Sequence, residues 1–449
     1  MVHWIAERVE HFKGRFAAEV LMRLGEATVR EALAGFPVRR RVWDGWAVVR
    51  TFLSQVSDGS SCREAVERAI QQGWIPSGSS PLDSGYCQAR GRLPEAPLRH
   101  LSFGAGGALE AEVRRAERWP GRPVKVLDGT GLRLADTPAN QQAYPQSPRQ
   151  KPGCGFPVMY VCALMGLASG AILDAVCGAG PGGERAGLRK LWRSLRAGDI
   201  LLADAGFGSY AEVSSLLRRG VDCVVRLGKR KARAGRLQQL GRQDWLLEWT
   251  VPKQPGQWAQ PEKLPATLVM RVIQFTVRRA GFRTRHVALA TTLLDAGRYP
   301  KRMLMALYRR RWEMELRLRD IKTTMGLEQL RCKSPAGCRK QLWMGLLAYN
   351  LIRTVMAPAA RRARLAVRHI SFAGTLQRLR QFAAGRLLAG SPAESYRTLL
   401  DHLATDRLPR RLNRREPRAV KRRPKNYQLL TKPRHEFREA PHRNRYKAA

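Results

Sequence analysis

Acids, paired metal-binding thiols and long apolar runs are all scarce in this 449-residue chain. Asp and Glu total 36 against 81 Lys and Arg, giving a net charge of +45 and a pI near 11.3. Such a field strains a protein alone in water and is relieved by a polyanion, because each cation that meets a phosphate releases counterions. Nucleic acid is the expected partner. An anionic membrane or an Arg-rich, GC-rich genome explains the excess less well. No run of about 18 apolar residues occurs, so no transmembrane helix is indicated. The first residues, MVHWIAERVEHFKGRF, lack the apolar core of a signal peptide. The eight cysteines (62, 87, 154, 162, 177, 223, 332 and 338) form no C-x-x-C pair, and the eight histidines form no H-x-x-x-H or Cys/His cluster. Reduced thiols in a cytosolic protein are expected, with no zinc site and any metal held by carboxylates.

The pattern changes along the chain. Up to about residue 115 apolar residues recur at helical spacing, as in EVLMRLGEATVREAL and VWDGWAVVRTFLSQV. In SSCREAVERAIQQG, Ser60 or Ser61 can cap a helix with Glu64 at the capping-box position. A Pro/Ser/Gly turn separates it from YCQARGRL, which carries Arg90 and Arg92. Two short helices with the second basic fit a DNA-reading pair, and equally a purely structural helical domain. From about residue 122 strands alternate with helices. PVKVLDGT reads as a buried strand with Asp128 at its tip, and VMYVCALMGL with AILDAVCG as a hairpin. DILLADAGFGS reads as a strand ending on Asp204, AEVSSLLRRG as a helix, and VDCVVRLG as a strand. The order implies a mixed α/β sheet covered by helices. WLLEWTV, TLVMRVIQFTVRR and HVALATTLL then read as a β insertion, although TLVMRVIQFTV can instead extend the main sheet. GCRKQLWMGLLAYNLIRTVM reads as a buried helix. From Arg407 onward sixteen Lys and Arg face three acids, as in an arm that orders on DNA.

One stretch, YRRRWEMELRLRDIK, organises the rest. On a helix of about 100° per residue, Tyr308, Arg311, Glu315 and Lys322 share a stripe roughly 60° wide. Leu307, Met314, Leu318, Ile321 and Met325 form an apolar stripe beside it. Glu313 and Asp320 fall on the far side, as solvated charges. Alone, the segment fits a salt-bridged amphipathic helix. With Asp128 and Asp204 at two strand tips upstream, Glu315 becomes a third acid, on a helix whose apolar face would dock on the sheet. Three carboxylates without Cys or His suit Mg²⁺ or Mn²⁺. Two such ions about 3.5–4 Å apart support in-line phosphoryl transfer, with Arg311 and Lys322 beside them as phosphate clamps.

These residues carry a resemblance. The row Tyr308, Arg311, Glu315, Lys322 matches without a gap the Y-x2-R-x3-E-x6-K signature of transposases of the insertion-sequence-four family. VLDGTGLRL and LLADAGFGSY resemble the segments bearing that family's first and second catalytic Asp. The likeness extends to LLDAGRYP, LEQLRCKSP, LWMGLLAYNL and EPRAVKRRPK, and upstream to RRVWDGWAVVRTFLSQV and YCQARGRLP. The resemblance implies an RNase H-like mixed sheet flanked by helices, with a β-strand insertion and an N-terminal helical domain. The corresponding division is 1–115 (DNA-binding helices), 116–228 (first part of the core), 229–295 (insertion), 296–395 (second part, with the Glu-bearing helix) and 396–449 (basic region and tail).

It further implies Asp128, Asp204 and Glu315 as catalytic metal ligands, and Tyr308, Arg311 and Lys322 on DNA phosphates. Lys333, in the basic turn LEQLRCKSP, joins them as a DNA contact. The expected activity is cut-and-paste transposition. It comprises a nick at an inverted-repeat end, hairpin formation by the freed 3′-hydroxyl, reopening, and attack on target DNA, by a homodimer in the bacterial cytosol. Hairpin-forming relatives hold a flipped base with a Trp of the insertion. No local motif selects among Trp245, Trp249 and Trp258, and core packing explains a strand Trp equally well. The competing expectations are a catalytically inactive or domesticated DNA-binding protein on the same fold, and a structure-specific nuclease. The presence of all three acids favours the transposase.

Overall fold

The computed structural model describes residues 25–36, 42–147, 151, 153–180, 187, 189–227, 235–254, 264–277, 285–384, 392–408 and 436. The basic arm expected beyond residue 408, Glu436 apart, and Trp258 lie outside them.

Among the described residues five helices come first: α1 (Glu26–Ala32), α2 (Gly45–Asp58), α3 (Cys62–Gln71), α4 (Ser84–Arg92) and α5 (Glu95–Ala111). Ser61 starts α3 with the expected capping box: its hydroxyl accepts from the Glu64 N–H while the Glu64 carboxylate accepts from the Ser61 N–H. The core follows as β1 (Val124–Leu134), α6 (Pro138–Ala143), β2 (Val158–Gly166), β3 (Ile172–Ala179), β4 (Ile200–Ala203), α7 (Tyr210–Leu217) and β5 (Asp222–Arg226). Next come β6 (Arg236–Gly241), β7 (Asp244–Thr250), β8 (Thr267–Val277) and β9 (Arg285–Thr291). The chain then forms α8 (Lys301–Arg309), α9 (Trp312–Arg319), β10 (Gln329–Leu330), α10 (Pro335–Arg362), α11 (Phe372–Ala384) and α12 (Pro392–Thr405).

The strands form one sheet in the order β3-β2-β1-β4-β5-β9-β8-β7-β6, with β10 beside β1. β1, β2 and β3 pair antiparallel, whereas β4 and β5 run parallel to β1. This is the expected RNase H-like arrangement. The strands of the insertion region continue the same sheet, because β9 pairs antiparallel with β5 and β8 with β9. Of the two readings open for TLVMRVIQFTV, extension of the main sheet is the one observed.

Strand alternation sorts the sheet into two apolar faces. Val126, Leu202 and Val224 belong to one cluster, shared with Leu304, Leu307, Met314 and Leu318 of α8 and α9 and with α10. Leu127, Leu201, Ala203, Cys223 and Val225 belong to the other, beneath α7. The helix α10 is the buried spine, capped by Ser334, whose hydroxyl accepts from the Gly337 N–H. Its Asn350 is fully buried and satisfied: the amide donates to the carbonyls of Ser102 and Ile172, and its oxygen accepts from the Ile172 N–H, each at 2.9 Å. Gly106 permits this close seating of α5, since a Cβ there would meet the Ile172 carbonyl oxygen at 2.2 Å. No helix among the described residues is long and apolar enough to cross a membrane.

Candidate active site

Register brings the two aspartates together. Val126 of β1 pairs with Leu202 of β4, and two residues beyond each come Asp128 and Asp204. Period-two alternation therefore turns both carboxyls to the face that α8 and α9 cover. Asp204 follows the last residue of β4, as expected. Asp128 does not end its strand: β1 runs on to Leu134 because β2 pairs with it from Lys125 to Arg133. Parallel pairing with β4 stops at Val126, so Asp128 sits where one side of β1 has lost its neighbour.

The expected single helix from Tyr308 to Lys322 is three stretches. α8 ends at Arg309, α9 starts at Trp312, and Asp320–Thr324 is a π-helical turn. At the junction the N–H groups of Arg310, Arg311, Glu313 and Met314 bond carbonyls three residues back, which tightens the chain locally. The apolar stripe holds: Leu307, Met314, Leu318, Ile321 and Met325 are all buried. The polar expectation fails on the far side. Glu313 pairs with Arg310 at 2.7 Å and Asp320 with buried Arg317 at 3.2 Å, so neither acid is a solvated charge. Both arginines reach forward three residues along the helix, where burial favours pairing over hydration.

Arg311 ties the acids together. Its guanidinium donates to Asp128 Oδ2 at 3.3 Å and to Glu315 Oε1 at 2.8 Å. Tyr308 donates its hydroxyl to Asp204 Oδ1 at 3.4 Å. The same Asp204 oxygen accepts from the Ala205 N–H, and Asp128 Oδ1 from the Gly129 N–H. Burial raises the Asp128 pKa, opposed by the Gly129 N–H and Arg311 and reinforced by the charges of Glu315 and Asp204. Burial, with the Asp204 charge next, pushes the Tyr308 phenol up to about 12, so it stays a neutral donor near pH 7. Burial alone would lower the Arg311 pKa, but Tyr308, Glu315, Asp204 and Asp128 together raise it. Lys322 is half-buried on the π turn and its ammonium meets no described partner; Lys333 is exposed.

The donor set suits a hard divalent cation. Its ligands are carboxylate oxygens, and one guanidinium already bridges two of them, marking a place where positive charge is stabilised. The oxygens of Asp128, Asp204 and Glu315 are not all within 4.8 Å of one another.

Two residues of this edge were passed over in the sequence. Arg226 ends β5; its neighbour Val225 pairs with Ala203, so it lies beside Asp204 and acts on the Tyr308 ionisation. The only signal was its place at the end of VDCVVR. Trp312, next to Arg311, is 54% exposed, and an exposed indole here is a ready stacking surface. Of the insertion tryptophans, Trp245 is core, 1% exposed and covered by Arg236, and Trp249 packs edge-on against Tyr210. Arg90 does not face outward: it bonds Gln55 at 2.8 Å and lies over Phe52 and Tyr86, leaving Arg92 as the exposed cation of α4.

With this geometry in hand, comparison with known proteins is specific. The family model described as the transposase DDE domain matches residues 119–351, a span holding every residue named at the sheet edge. The transposase InsG for insertion sequence element IS4 of Escherichia coli (strain K12) is 29% identical over 357 residues, 78% of this chain and 78% of that protein. A cryo-EM structure of the piggyBac transposase synaptic complex with hairpin DNA aligns at TM-score 0.43 and 10% identity, over 88% of this chain and 84% of that one.

Proposed function

The chain belongs to the DDE-domain transposases of the insertion-sequence-four type, and from that premise we propose that it cleaves the inverted-repeat ends of its own element and joins them to target DNA at Asp128, Asp204 and Glu315. The observation that carries this reading is the convergence of two aspartates from adjacent strand edges with a glutamate from the covering helix, joined through Arg311.

Asp128, Asp204 and Glu315 would hold magnesium or manganese, as a pair of ions, which when bound would supply activation of the attacking oxygen and stabilisation of the leaving oxygen. The protein's own residues do the rest. Arg311 exchanges one carboxylate for a DNA phosphate when the acids acquire another counter-charge, and its planar fork suits that bidentate contact. Tyr308, neutral at working pH, has one hydroxyl proton, which it turns from Asp204 to a phosphate oxygen when DNA binds. Lys322 and exposed Lys333 offer ammonium groups to the flanking backbone. In the first step a water oxygen bonds to phosphorus as the P–O3′ bond breaks. The 3′-hydroxyl released attacks a phosphorus of the opposite strand, closing a hairpin as that strand's P–O3′ bond breaks and the flanking DNA leaves with a 3′-hydroxyl. A second water attacks the hairpin phosphorus and frees the same 3′-hydroxyl again, which then attacks a target phosphorus as the target's P–O3′ bond breaks. Joining two ends calls for a homodimer, acting in the bacterial cytoplasm.

The test uses full-length protein, Mg²⁺ and DNA carrying the inverted repeats that flank the gene. The wild type cuts at the ends. Glu315→Gln retains end binding but loses cleavage by about 10³-fold or more, the scale of losing a direct transition-state contact. Undiminished cleavage in Glu315→Gln overturns the assignment. A hairpin-sized product on a denaturing gel separates the hairpin route from direct hydrolysis of both strands.

A further inference from the structure

A second cluster lies in the N-terminal helices, built from residues that sequence spacing does not associate. Cys62 opens α3, Asp83 stands at the N-cap of α4, and Cys87 lies one turn into it. The two sulfurs and an Asp83 oxygen all lie within 4.8 Å of one another, and all three residues are half-buried and within reach of solvent. Among the described residues no other trio of Cys, His, Asp or Glu is gathered so closely. The absence of C-x-x-C pairs led to an expectation of no zinc site; the turn at 72–82 brings the thiols together instead.

Two further features single this cluster out. An Asp at an N-cap ordinarily accepts from an N–H of the first turn, yet Asp83 makes no such bond. One of its carboxylate oxygens lies within 4.8 Å of both sulfurs instead. The Cys62 sulfur accepts from Gln55 Nε2 at 3.3 Å, and Gln55 is itself fixed by Tyr86 and Arg90, each donating to its oxygen at 2.8 Å. Gln55 thus supports the first ligand as outer partners do in metal centres. Arg90 is close enough to feel both thiols. A divalent cation together with Arg90 cancels the charge of two thiolates and one carboxylate.

We propose that Cys62, Asp83 and Cys87 bind a zinc-class divalent cation that clasps α3 to α4, with the remaining tetrahedral position left to water. Thiolate donors select such an ion over magnesium, so the site is chemically separate from the carboxylate edge. Binding sends both thiol protons to solvent. The clasp fixes the pose of the exposed face of α4, which carries Gly85, Gln88 and Arg92.

Full-length protein, reduced and freed of metal, is titrated with Co²⁺ alone. One equivalent should produce sulfur-to-cobalt charge-transfer absorption, and Zn²⁺ should abolish it. Cys62→Ser and Cys87→Ser should each lose the band. Asp83→Asn should weaken zinc binding by roughly tenfold or more against a chromophoric chelator. Asp204→Asn should leave the band unchanged, separating this site from the transposase centre. Alkylating the wild-type thiols gives the same comparison without a variant that has to fold. The proposal fails if Co²⁺ gives no charge-transfer band, or if the wild type takes up no more zinc than the Cys62→Ser/Cys87→Ser protein. It fails equally if the two thiols form a disulfide in air while the reduced protein binds no cobalt.

Discussion

Arg271 and Arg311 are both held by acids from neighbouring elements, and they are held differently. Arg271 is 1% exposed, and its partner Asp244 is 7% exposed. Its Nε meets one Asp244 oxygen at 2.8 Å, Nη2 meets the other, and Nη1 donates to the Tyr299 carbonyl at 2.7 Å. That cluster is closed, with both carboxylate oxygens engaged and almost no water in reach. Arg311 is 14% exposed and gives a single nitrogen to each of two carboxylates, Asp128 at 21% and Glu315 at 35% exposure. Its acids keep lone pairs and solvent access. A closed pair can only hold its elements together, whereas an open one can exchange partners. Arg271 fastens the β7–β8 hairpin to the residue before Pro300, where α8 begins, and Arg311 works at the other end of that helix.

The largest effect is expected from opening the closed cluster. Asp244→Asn leaves a buried guanidinium without its counter-charge, a loss of about 3–5 kcal/mol. Chemical unfolding should show that loss, and cleavage per folded molecule should fall by far less than in Glu315→Gln. If Asp244→Asn unfolds no earlier than wild type, Arg271 is not the fastening described.

Next in size is a change two residues from Glu315. Glu313 is 15% exposed and bound to Arg310, which also reaches the Leu167 carbonyl. Glu313→Gln should lower stability by about 1–3 kcal/mol, the range for a hydrogen bond to a charged group, while end cleavage survives. Glu315→Gln should do the reverse. The neighbouring acids thus divide between the two kinds of cluster. Loss of cleavage in well-folded Glu313→Gln protein contradicts that division.

Legibility in the sequence followed the same divide. The three acids, Arg311 and the apolar stripe could be read because their spacing follows periods of 3.6 and 2, and because the resemblance rests on them. Register placed Asp128 beside Asp204 without any local signal beyond two strands of matching character. The helix break at Arg310 and the π turn at Asp320 were not legible, since both depend on tertiary partners. Glu313 and Asp320 looked solvated for that reason: angle alone cannot show that Arg310 and Arg317 turn inward with them. Cys62 and Cys87 escaped notice because a turn, and no motif, joins them.

The smallest effect is the most discriminating for the open cluster. The Asp128 pKa is raised, with burial the leading cause and Arg311 too loosely placed to reverse it. A carboxyl whose folded pKa lies above its unfolded value binds its proton more tightly in the folded state. Its favourable contribution is complete below the unfolded pKa and is lost as pH rises through the folded one. At neutral pH ionised Asp128 therefore costs stability, and Asp128→Asn, which cannot ionise, should unfold slightly later than wild type. The gain should be smaller than the loss in Glu313→Gln, and it should vanish as pH falls below the ordinary carboxylate range. The same variant should be inert in cleavage. Urea unfolding at both pH values checks the sign. If Asp128→Asn is less stable at neutral pH, Arg311 outweighs burial, and the cluster at the sheet edge is as closed as the one around Arg271.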